Sequence, residues 1–183
     1  MKFQTTSIPG VVLVELDVFK DPRGFFMESY QREKYRAGGI AVDFVQDNHA
    51  ASTKGVLRGL HLQLEHMQGK LVRVVEGKVW DVAVDVRRGS PWFGQWEAFE
   101  LSAENFRQLY IPPGFAHGYC VLSERAQVEY KASDLYHPAS DVSIRWNDPQ
   151  LAVRWPIQDP VLSKKDAEGK TLEALSNRLP SYY

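Results

Sequence analysis

Cysteine is nearly absent from this chain of 183 residues, since Cys120 is its one thiol. A single thiol cannot form an internal disulfide or a cysteine-rich zinc site. Charge of one sign is scarce too, because 22 Lys and Arg residues are balanced by 23 Asp and Glu residues, for a formal net charge of -1. No block of like charge occurs. The sequence therefore argues against a nucleic-acid partner bound through a basic surface.

Long apolar runs are missing as well. None approaches the roughly 20 residues that a transmembrane helix needs, and residues 1–9 hold no apolar segment typical of a secretory signal. The sequence thus predicts a soluble cytoplasmic protein with no membrane partner. Hydrophobic residues make up 44% of the chain, and no repeat or linker interrupts it, so residues 1–183 are predicted to form one domain.

What dominates residues 11–146 is a series of short β-branched and aromatic runs with alternating polarity, each ending at Gly, Pro, Asn or Asp. This pattern is typical of antiparallel strands. Many short strands with close turns favour a β-sandwich or barrel. Strands are predicted over residues 11–19, 25–30, 55–64, 70–75, 78–86, 97–101, 108–111, 118–122, 127–132 and 142–144.

Run 78–86 alternates most clearly, with Val79, Asp81, Ala83 and Asp85 on one face and an apolar row on the other. Just before it, Gly77 predicts a tight hairpin turn with a positive φ.

Helical periods are few. A short helix is predicted over residues 31–37. The main helix is predicted near the carboxyl end, over residues 164–175, where Ser163 serves as N-cap and Asp166 as the third residue of a capping box.

Several polar residues stand out, although each has an ordinary structural interpretation. Strict alternation puts Arg58 and His61 on opposite faces of one strand, unless Gly59 forms a bulge that turns one of them. Taken alone, Lys70 is consistent with a solvated lysine at a strand start, and Tyr130 with a buried phenol. His117 follows a rigid Pro-Pro-Gly loop, and Asp166 is explained by the helix cap.

Considered together, nine segments resemble the dTDP-4-dehydrorhamnose 3,5-epimerase family of the cupin superfamily. They occur in order along nearly the whole chain, at residues 21–28, 46–48, 58–63, 69–73, 79–87, 111–118, 130–131, 146–148 and 162–166. The resemblance implies a mainly β, cupin-type jelly roll, antiparallel, with a few short helices. It also implies a homodimer with strands exchanged between subunits and a bound dTDP-linked 4-keto-6-deoxy sugar.

The activity that the resemblance implies is cofactor-free inversion of C3 and C5, converting dTDP-4-dehydro-6-deoxyglucose to dTDP-4-dehydrorhamnose. The C4 ketone acidifies the flanking C–H bonds, so a base on one face and an acid on the other are sufficient. By the resemblance, His61 is the base and Tyr130 the acid. Asp166 then orients the imidazole, and Lys70 stabilises the enolate oxygen.

The resemblance further assigns substrate contacts across the chain. They fall on Arg23, Phe25, Glu28, Gln46, Asp47, Asn48, Arg58, Lys70, His117, Tyr136, Asp141 and Lys165. The family often has Glu where this chain has Asp141. Gln63 stands where metal-binding cupins carry the second histidine of a His-x-His motif, and for this reason the sequence predicts no metal.

Three other functions stay open at this point. A related enzyme would invert only C3 or only C5, and nothing in the sequence separates the two. A metal-dependent cupin such as a dioxygenase would use His61, His117 and a carboxylate as ligands, and bound iron would identify it. A non-catalytic sugar-nucleotide module would keep the arginines but has no need of His61, Tyr130 and Asp166 together.

Overall fold

Two antiparallel sheets and one separate hairpin contain all thirteen strands of the computed structural model, which describes residues 1–182. The six-stranded sheet has the order β1 (Lys2–Thr5), β2 (Val12–Glu15), β10 (Arg107–Ile111), β7 (Lys70–Glu76), β12 (Arg125–Ala132) and β5 (Gln46–Thr53). The five-stranded sheet has the order β13 (Asp141–Ser143), β6 (Leu57–Gln63), β11 (Phe115–Val121), β8 (Lys78–Asp85) and β9 (Trp96–Ser102). The hairpin consists of β3 (Val18–Asp21) and β4 (Gly24–Met27).

The inner faces of the two sheets form the main core. Val72 and Leu109 contribute to it from the six-stranded sheet, and Val79 and Tyr119 contribute from the five-stranded sheet. The free energy gained from hydrophobic burial is roughly proportional to the apolar area removed from water, so this layer contributes most to the stability of the fold. The predicted mainly β antiparallel sandwich is confirmed.

A second core cluster covers the outer face of the five-stranded sheet. Val82 and Val84 of β8 pack there against Leu172 and Leu175 near the carboxyl end. Strand β8 is therefore buried on both faces, and even Asp81 on its inner face is fully buried. A buried carboxylate requires a partner, and this one is described with the site below.

The helices are short: α1 (Arg32–Ala37), α2 (Lys164–Ala167) and α3 (Leu172–Leu175), with one 3₁₀ turn at Pro138–Ser140. The continuous helix predicted over residues 164–175 is wrong, and α1 is longer than either C-terminal helix. The segment between α2 and α3 pairs with the chain after β13, since Lys170 N donates to Ser143 O and Arg145 N donates to Lys170 O. Thr171 then caps a new helix. Within residues 1–182, no helix has the length and apolar character of a membrane span.

Other boundaries also differ from the prediction. The strand expected over residues 11–19 is two strands, because the chain leaves the six-stranded sheet after Glu15 and starts the hairpin at Val18. Strands β1 and β5 were not predicted, and β5 is a polar edge strand with few β-branched residues. Gly77 has the expected positive φ of 73°. The hairpin predicted there is wrong, since β7 and β8 lie in different sheets and Gly77 marks the crossing between them.

Candidate active site

A bulge in β6 brings Arg58 and His61 to the same face of the five-stranded sheet. Arg58 lies opposite Tyr119 of β11 and His61 lies opposite His117. The two β6 residues are three apart in sequence and their β11 partners are two apart, so β6 contains one extra residue and both side chains point the same way. Gly59 sits within this irregularity with φ 121°, and a Cβ there would lie 2.5 Å from the Cα of Gly118. Only glycine fits such a close approach of two backbones. The bulge considered from the sequence is confirmed.

His61 is bound to a carboxylate that the sequence places 105 residues away. Its Nε2 lies 2.5 Å from Asp166 Oδ1. The histidine side chain is 30% exposed, whereas that of Asp166 is 3% exposed. With Nε2–H donating to Asp166, the Nδ1 lone pair of His61 is left as a proton acceptor. The predicted contact between these two residues is confirmed.

Asp166 is itself held by two hydroxyl groups. Ser143 Oγ donates to Oδ1 and Ser163 Oγ donates to Oδ2, each at 2.8 Å. Ser163 also accepts from the Asp166 amide, so the predicted helix cap exists alongside the contact to His61. Burial by itself would raise the pKa of Asp166. The hydrogen bond from His61 and its charge, with the two serine hydroxyls, outweigh burial and lower the pKa.

A second histidine–aspartate pair lies deeper on the same inner face. His117 Nε2 is 3.0 Å from Asp81 Oδ2, and their side chains are 7% and 0% exposed. Burial lowers the pKa of His117, and the nearby negative charge of Asp81 reverses this only in part. His117 is therefore a neutral imidazole near neutral pH and donates its Nε2–H to Asp81.

Lys70 and Tyr130 project from the opposite sheet. Lys70 lies two residues before Val72 on β7, and Tyr130 lies two residues after Val128 on β12. Each therefore shares the face of a valine that belongs to the core between the sheets. Lys70 Nζ lies 5.9 Å from the centre of the Tyr130 ring. The site thus has the His61 imidazole on one sheet, bound to a carboxylate from α2, and an ammonium group and a phenol on the other sheet.

The environment shifts the pKa values of both groups. Burial lowers the pKa of Lys70 to about 8, against the opposing charges of Asp141 and Asp81. Desolvation raises the pKa of Tyr130, and the charge of Asp141 adds to that effect. Near neutral pH, Lys70 is still mostly an ammonium ion and Tyr130 is a neutral phenol that can donate a proton.

Polar residues surround these groups at one end of the sheets. Asn48 of β5 pairs directly with Tyr130 and so shares its face, and Gln46 Nε2 donates to Asn48 Oδ1 at 3.0 Å. Gln46 Oε1 accepts from the Tyr136 amide. Arg58 Nε donates to Ser52 Oγ at 3.0 Å, which directs the guanidinium along the inner face.

From Tyr136, a series of side-chain contacts connects the loop after β12 to helix α2. Tyr136 Oη donates to Asp141 Oδ2 at 3.0 Å, and Lys165 pairs with the same oxygen. Because Lys165 and Asp166 are neighbours on α2, this series joins the loop to the helix that carries the His61 partner. The structure brings Tyr136, Asp141 and Lys165 together as one polar cluster.

Four predicted contact residues lie apart from this group. Arg23 and Phe25 belong to the β3–β4 hairpin, where Arg23 binds Asp21 at 2.5 Å and Phe25 is 58% exposed. Glu28 pairs with Lys34 of α1. Asp47 binds Lys131 at 3.0 Å on the outer face of the six-stranded sheet, opposite to the face of Gln46 and Asn48. Within one chain, these four do not join the cluster around His61.

Asp81, Ser143 and Ser52 were not singled out from the sequence. A signal for Asp81 was present, since a carboxylate that alternates with Val79 and Ala83 on a buried strand needs a partner. Nothing in the sequence marks the two serines, because serine is common at strand ends.

The donor set does not fit a cupin metal centre. His61 Nε2 and His117 Nε2 are bound to different carboxylates, Asp166 and Asp81. At the position of a second ligand, the Gln63 side chain binds three backbone groups, the carbonyl oxygens of residues 66 and 135 and the amide of residue 137. The dioxygenase alternative therefore has no ligand set of the usual kind here.

Comparison with known proteins agrees with this geometry. The family model for dTDP-4-dehydrorhamnose 3,5-epimerase matches residues 5–174. The chain belongs to this family. A Pseudomonas aeruginosa dTDP-4-dehydrorhamnose 3,5-epimerase is 58% identical over 172 residues, covering 93% of this chain and 95% of that protein. The predicted family, its cupin-type fold and the carbohydrate epimerase class are confirmed.

Solved structures give the same result. A Legionella pneumophila dTDP-6-deoxy-D-glucose-3,5-epimerase in complex with dTDP-4-keto-L-rhamnose has a TM-score of 0.96 and 51% identity, covering 100% of this chain and 98% of that chain. A 3'-monoepimerase from Streptomyces bikiniensis, in complex with dTDP-quinovose, has a TM-score of 0.91 and 34% identity, covering 97% and 92%. The same fold is therefore similar both to a 3,5-epimerase and to a monoepimerase.

Proposed function

We propose that this protein inverts C3 and C5 of dTDP-4-dehydro-6-deoxyglucose and produces dTDP-4-dehydrorhamnose. The observation that carries the proposal is the partly exposed His61 bound to buried Asp166, on the sheet facing Tyr130 and Lys70. Proton exchange at carbon needs a base and an acid on opposite sides of the sugar ring, and these two sheets supply one each.

The first step is removal of a proton from the carbon next to the C4 ketone. His61 Nδ1 takes the proton, the C–H electron pair forms a C=C bond, and the carbonyl electrons move to the C4 oxygen. Asp166 holds the imidazole through Nε2 and stabilises its positive charge once the proton is bound, as the carboxylate of a Ser-His-Asp triad does.

Lys70 stabilises the enolate. The residue is half-buried and its ammonium group lies beside the Tyr130 ring, where burial makes the effect of a cation on a developing oxyanion strong. The charge on the C4 oxygen exists only after proton loss, so this interaction favours the transition state over the bound sugar.

Tyr130 returns a proton to the opposite face of the carbon. The enolate electrons take the phenol proton, the C4 carbonyl forms again, and the configuration at that carbon is inverted. The phenolate then regains a proton from water and protonated His61 releases its proton to water, so that both groups return to their starting states with no net change in protons. The raised pKa of Tyr130 keeps the phenol protonated between turnovers.

Substrate binding is proposed for the polar residues around this site. Gln46, Asn48, Arg58 and His117 lie on the inner faces, and the Arg58 guanidinium suits a diphosphate. The cluster of Tyr136, Asp141 and Lys165 lies beside the sugar position.

A homodimer completes the binding site in this proposal. The β3–β4 hairpin pairs with no other strand of residues 1–182. Three of its aromatic residues are largely exposed: Phe19 at 66%, Phe25 at 58% and Phe26 at 71%. Exposed aromatics of this size mark a contact surface. Exchange of this hairpin would bring Arg23 and Glu28 to the site of a second copy. Light scattering should give twice the chain mass of 20.9 kDa, and a monomer would contradict the proposal.

We also propose that residues 1–183 form one cupin-like epimerase domain located in the cytoplasm. A single cooperative unfolding transition is expected for one domain, and cell fractionation tests the location.

The substrate proposal is tested with the purified protein and dTDP-4-keto-6-deoxyglucose, followed by proton NMR. The expected product is inverted at both C3 and C5. Inversion at one carbon only would instead establish a monoepimerase, and no inversion at either carbon would refute the proposed function.

A further inference from the structure

A pair of histidines and an aspartate meet outside the site described above. His66 follows β6, while Asp134 and His137 lie in the loop after β12. One nitrogen of each histidine and one carboxylate oxygen of Asp134 lie within 4.8 Å of one another. His66 Nδ1 is 3.5 Å from Asp134 Oδ2. Among residues 1–182, this is the one group of three such side chains with metal-ligand spacing.

Gln63 fixes the two loops that carry these residues. Its buried side chain donates to the backbone oxygen of His66 at 2.6 Å and accepts from the backbone amide of His137 at 2.8 Å. A second link comes from Gln68 Nε2, which donates to the backbone oxygen of Asp134 at 2.8 Å. The backbone at all three positions is therefore held in place without any ion.

The two imidazoles are neighbours in this arrangement. The rings of His66 and His137 stack with their centres 3.8 Å apart and 14° between their planes. To share an ion, each ring must turn until its lone pair points to a common centre. The His66 side chain is 52% exposed, so it can turn while Gln63 holds the backbone. Asp134 is 40% exposed; its Oδ1 accepts from the Leu135 amide at 2.7 Å, and its Oδ2 faces His66.

We propose that His66, Asp134 and His137 form a binding site for a divalent transition-metal ion, with Zn²⁺ as the best match. Two imidazole nitrogens and one carboxylate oxygen are ligands that Zn²⁺ accepts in tetrahedral geometry. Both histidines line a cleft of about 410 Å³, which leaves room for water as a fourth ligand. Glu65 and Arg178 also line this cleft, and their opposite charges offset one another.

This site is separate from the proton-transfer groups. The histidines that face the sugar position, His61 and His117, have their Nε2 atoms bound to Asp166 and Asp81. Zinc bound by His66 and His137 would tie the segment after β6 to the loop that carries Tyr136. The expected effect is a more stable fold, independent of turnover.

The proposal is tested by calorimetric titration of ZnCl₂ into the chelator-treated full chain without a histidine tag. One ion per chain is expected. His66→Ala and His137→Ala should each weaken binding at least about tenfold, and the double variant should abolish it. Saturating zinc should raise the Tm of the parent protein by about 5 °C and leave the Tm of the double variant unchanged.

His49→Ala is the matched control, because His49 is an exposed histidine on β5 and belongs to neither site. It should bind zinc like the parent. The Tm of each variant without zinc shows whether the fold is intact, and His66→Asn replaces His66→Ala if it is not. Absence of binding, binding that survives in the double variant, or binding lost only in His61→Ala would each overturn the proposal.

Discussion

The two histidine–aspartate pairs of this protein, His61–Asp166 and His117–Asp81, contain the same chemical groups, with the histidines on adjacent strands, but differ in access. The His61 side chain is 30% exposed and that of His117 is 7% exposed. Burial also lowers the pKa of His117, so it remains neutral. A base must reach its substrate and accept a positive charge, and of the two pairs only His61–Asp166 meets both requirements.

The carboxylates differ as well. Asp166 accepts from Ser143 and Ser163 in addition to His61, which keeps it ionised beside a histidine that gains a proton during the reaction. Asp81 is fully buried against His117, on a strand that is covered on both sides. In the proposed mechanism we therefore assign proton transfer to His61–Asp166 and a fixed place in the binding surface to His117–Asp81.

The sharpest test of this contrast compares Asp166→Asn with Asp81→Asn. Asp166→Asn is expected to lower kcat by about 10²–10⁴, because the amide neither stabilises the imidazolium nor fixes its tautomer. Asp81→Asn should lower kcat by about tenfold or less, since a neutral histidine needs only an acceptor. Steady-state kinetics with thermal melting of each variant measures both effects. Equal losses in the two variants would remove the distinction between the pairs.

A second test asks whether Tyr130 or the buried His117 returns the proton. Tyr130→Phe removes the phenol proton and should lower inversion by about 10²-fold, while proton exchange with solvent at the same carbons falls less. NMR in heavy water follows inversion and exchange in one sample. If Tyr130→Phe inverts the sugar at the parent rate, another acid operates and His117 becomes the first candidate.

The pH profile provides a third and smaller effect. Burial lowers the pKa of Lys70 to about 8, so its positive charge is present below that pH and is lost as the pH rises through it. We expect kcat/KM to fall on the alkaline side of about pH 8. Lys70→Arg should keep its charge and move this fall to higher pH, at a cost of about tenfold in kcat from altered geometry. A fall at the same pH in the arginine variant would show that another group titrates.

Much of the fold could be predicted from the sequence, because alternation and turn residues act locally. Run 78–86 became β8 nearly as expected. Strand β5 was missed because its residues are polar and because it pairs with β12, which is far from it in the sequence. The helix over residues 164–175 was wrong for a similar reason, since the backbone at Lys170 pairs with the segment after β13.

The site was less accessible to sequence reasoning. His61, Tyr130, Lys70 and Asp166 were assigned through the family resemblance and not through their own pattern. The bulge at Gly59 was considered from the glycine alone, but the pairing of His61 with His117 depends on β11. Asp81 was not predicted as the partner of His117, because that contact depends on β8 and β11 being neighbours in the sheet. Arg23 and Phe25 lie on the β3–β4 hairpin, which pairs with no other strand of residues 1–182, so their place in a site depends on a second copy.

The central claim is that His61 removes a proton from carbon, and isotope exchange tests it most directly. Parent protein, His61→Ala and His117→Gln would each be incubated with dTDP-4-keto-6-deoxyglucose in heavy water, and deuterium at C3 and C5 would be measured by NMR. We expect deuterium at both carbons with the parent protein and with His117→Gln, and none with His61→Ala. Deuterium entering either carbon at the parent rate in His61→Ala would contradict the claim.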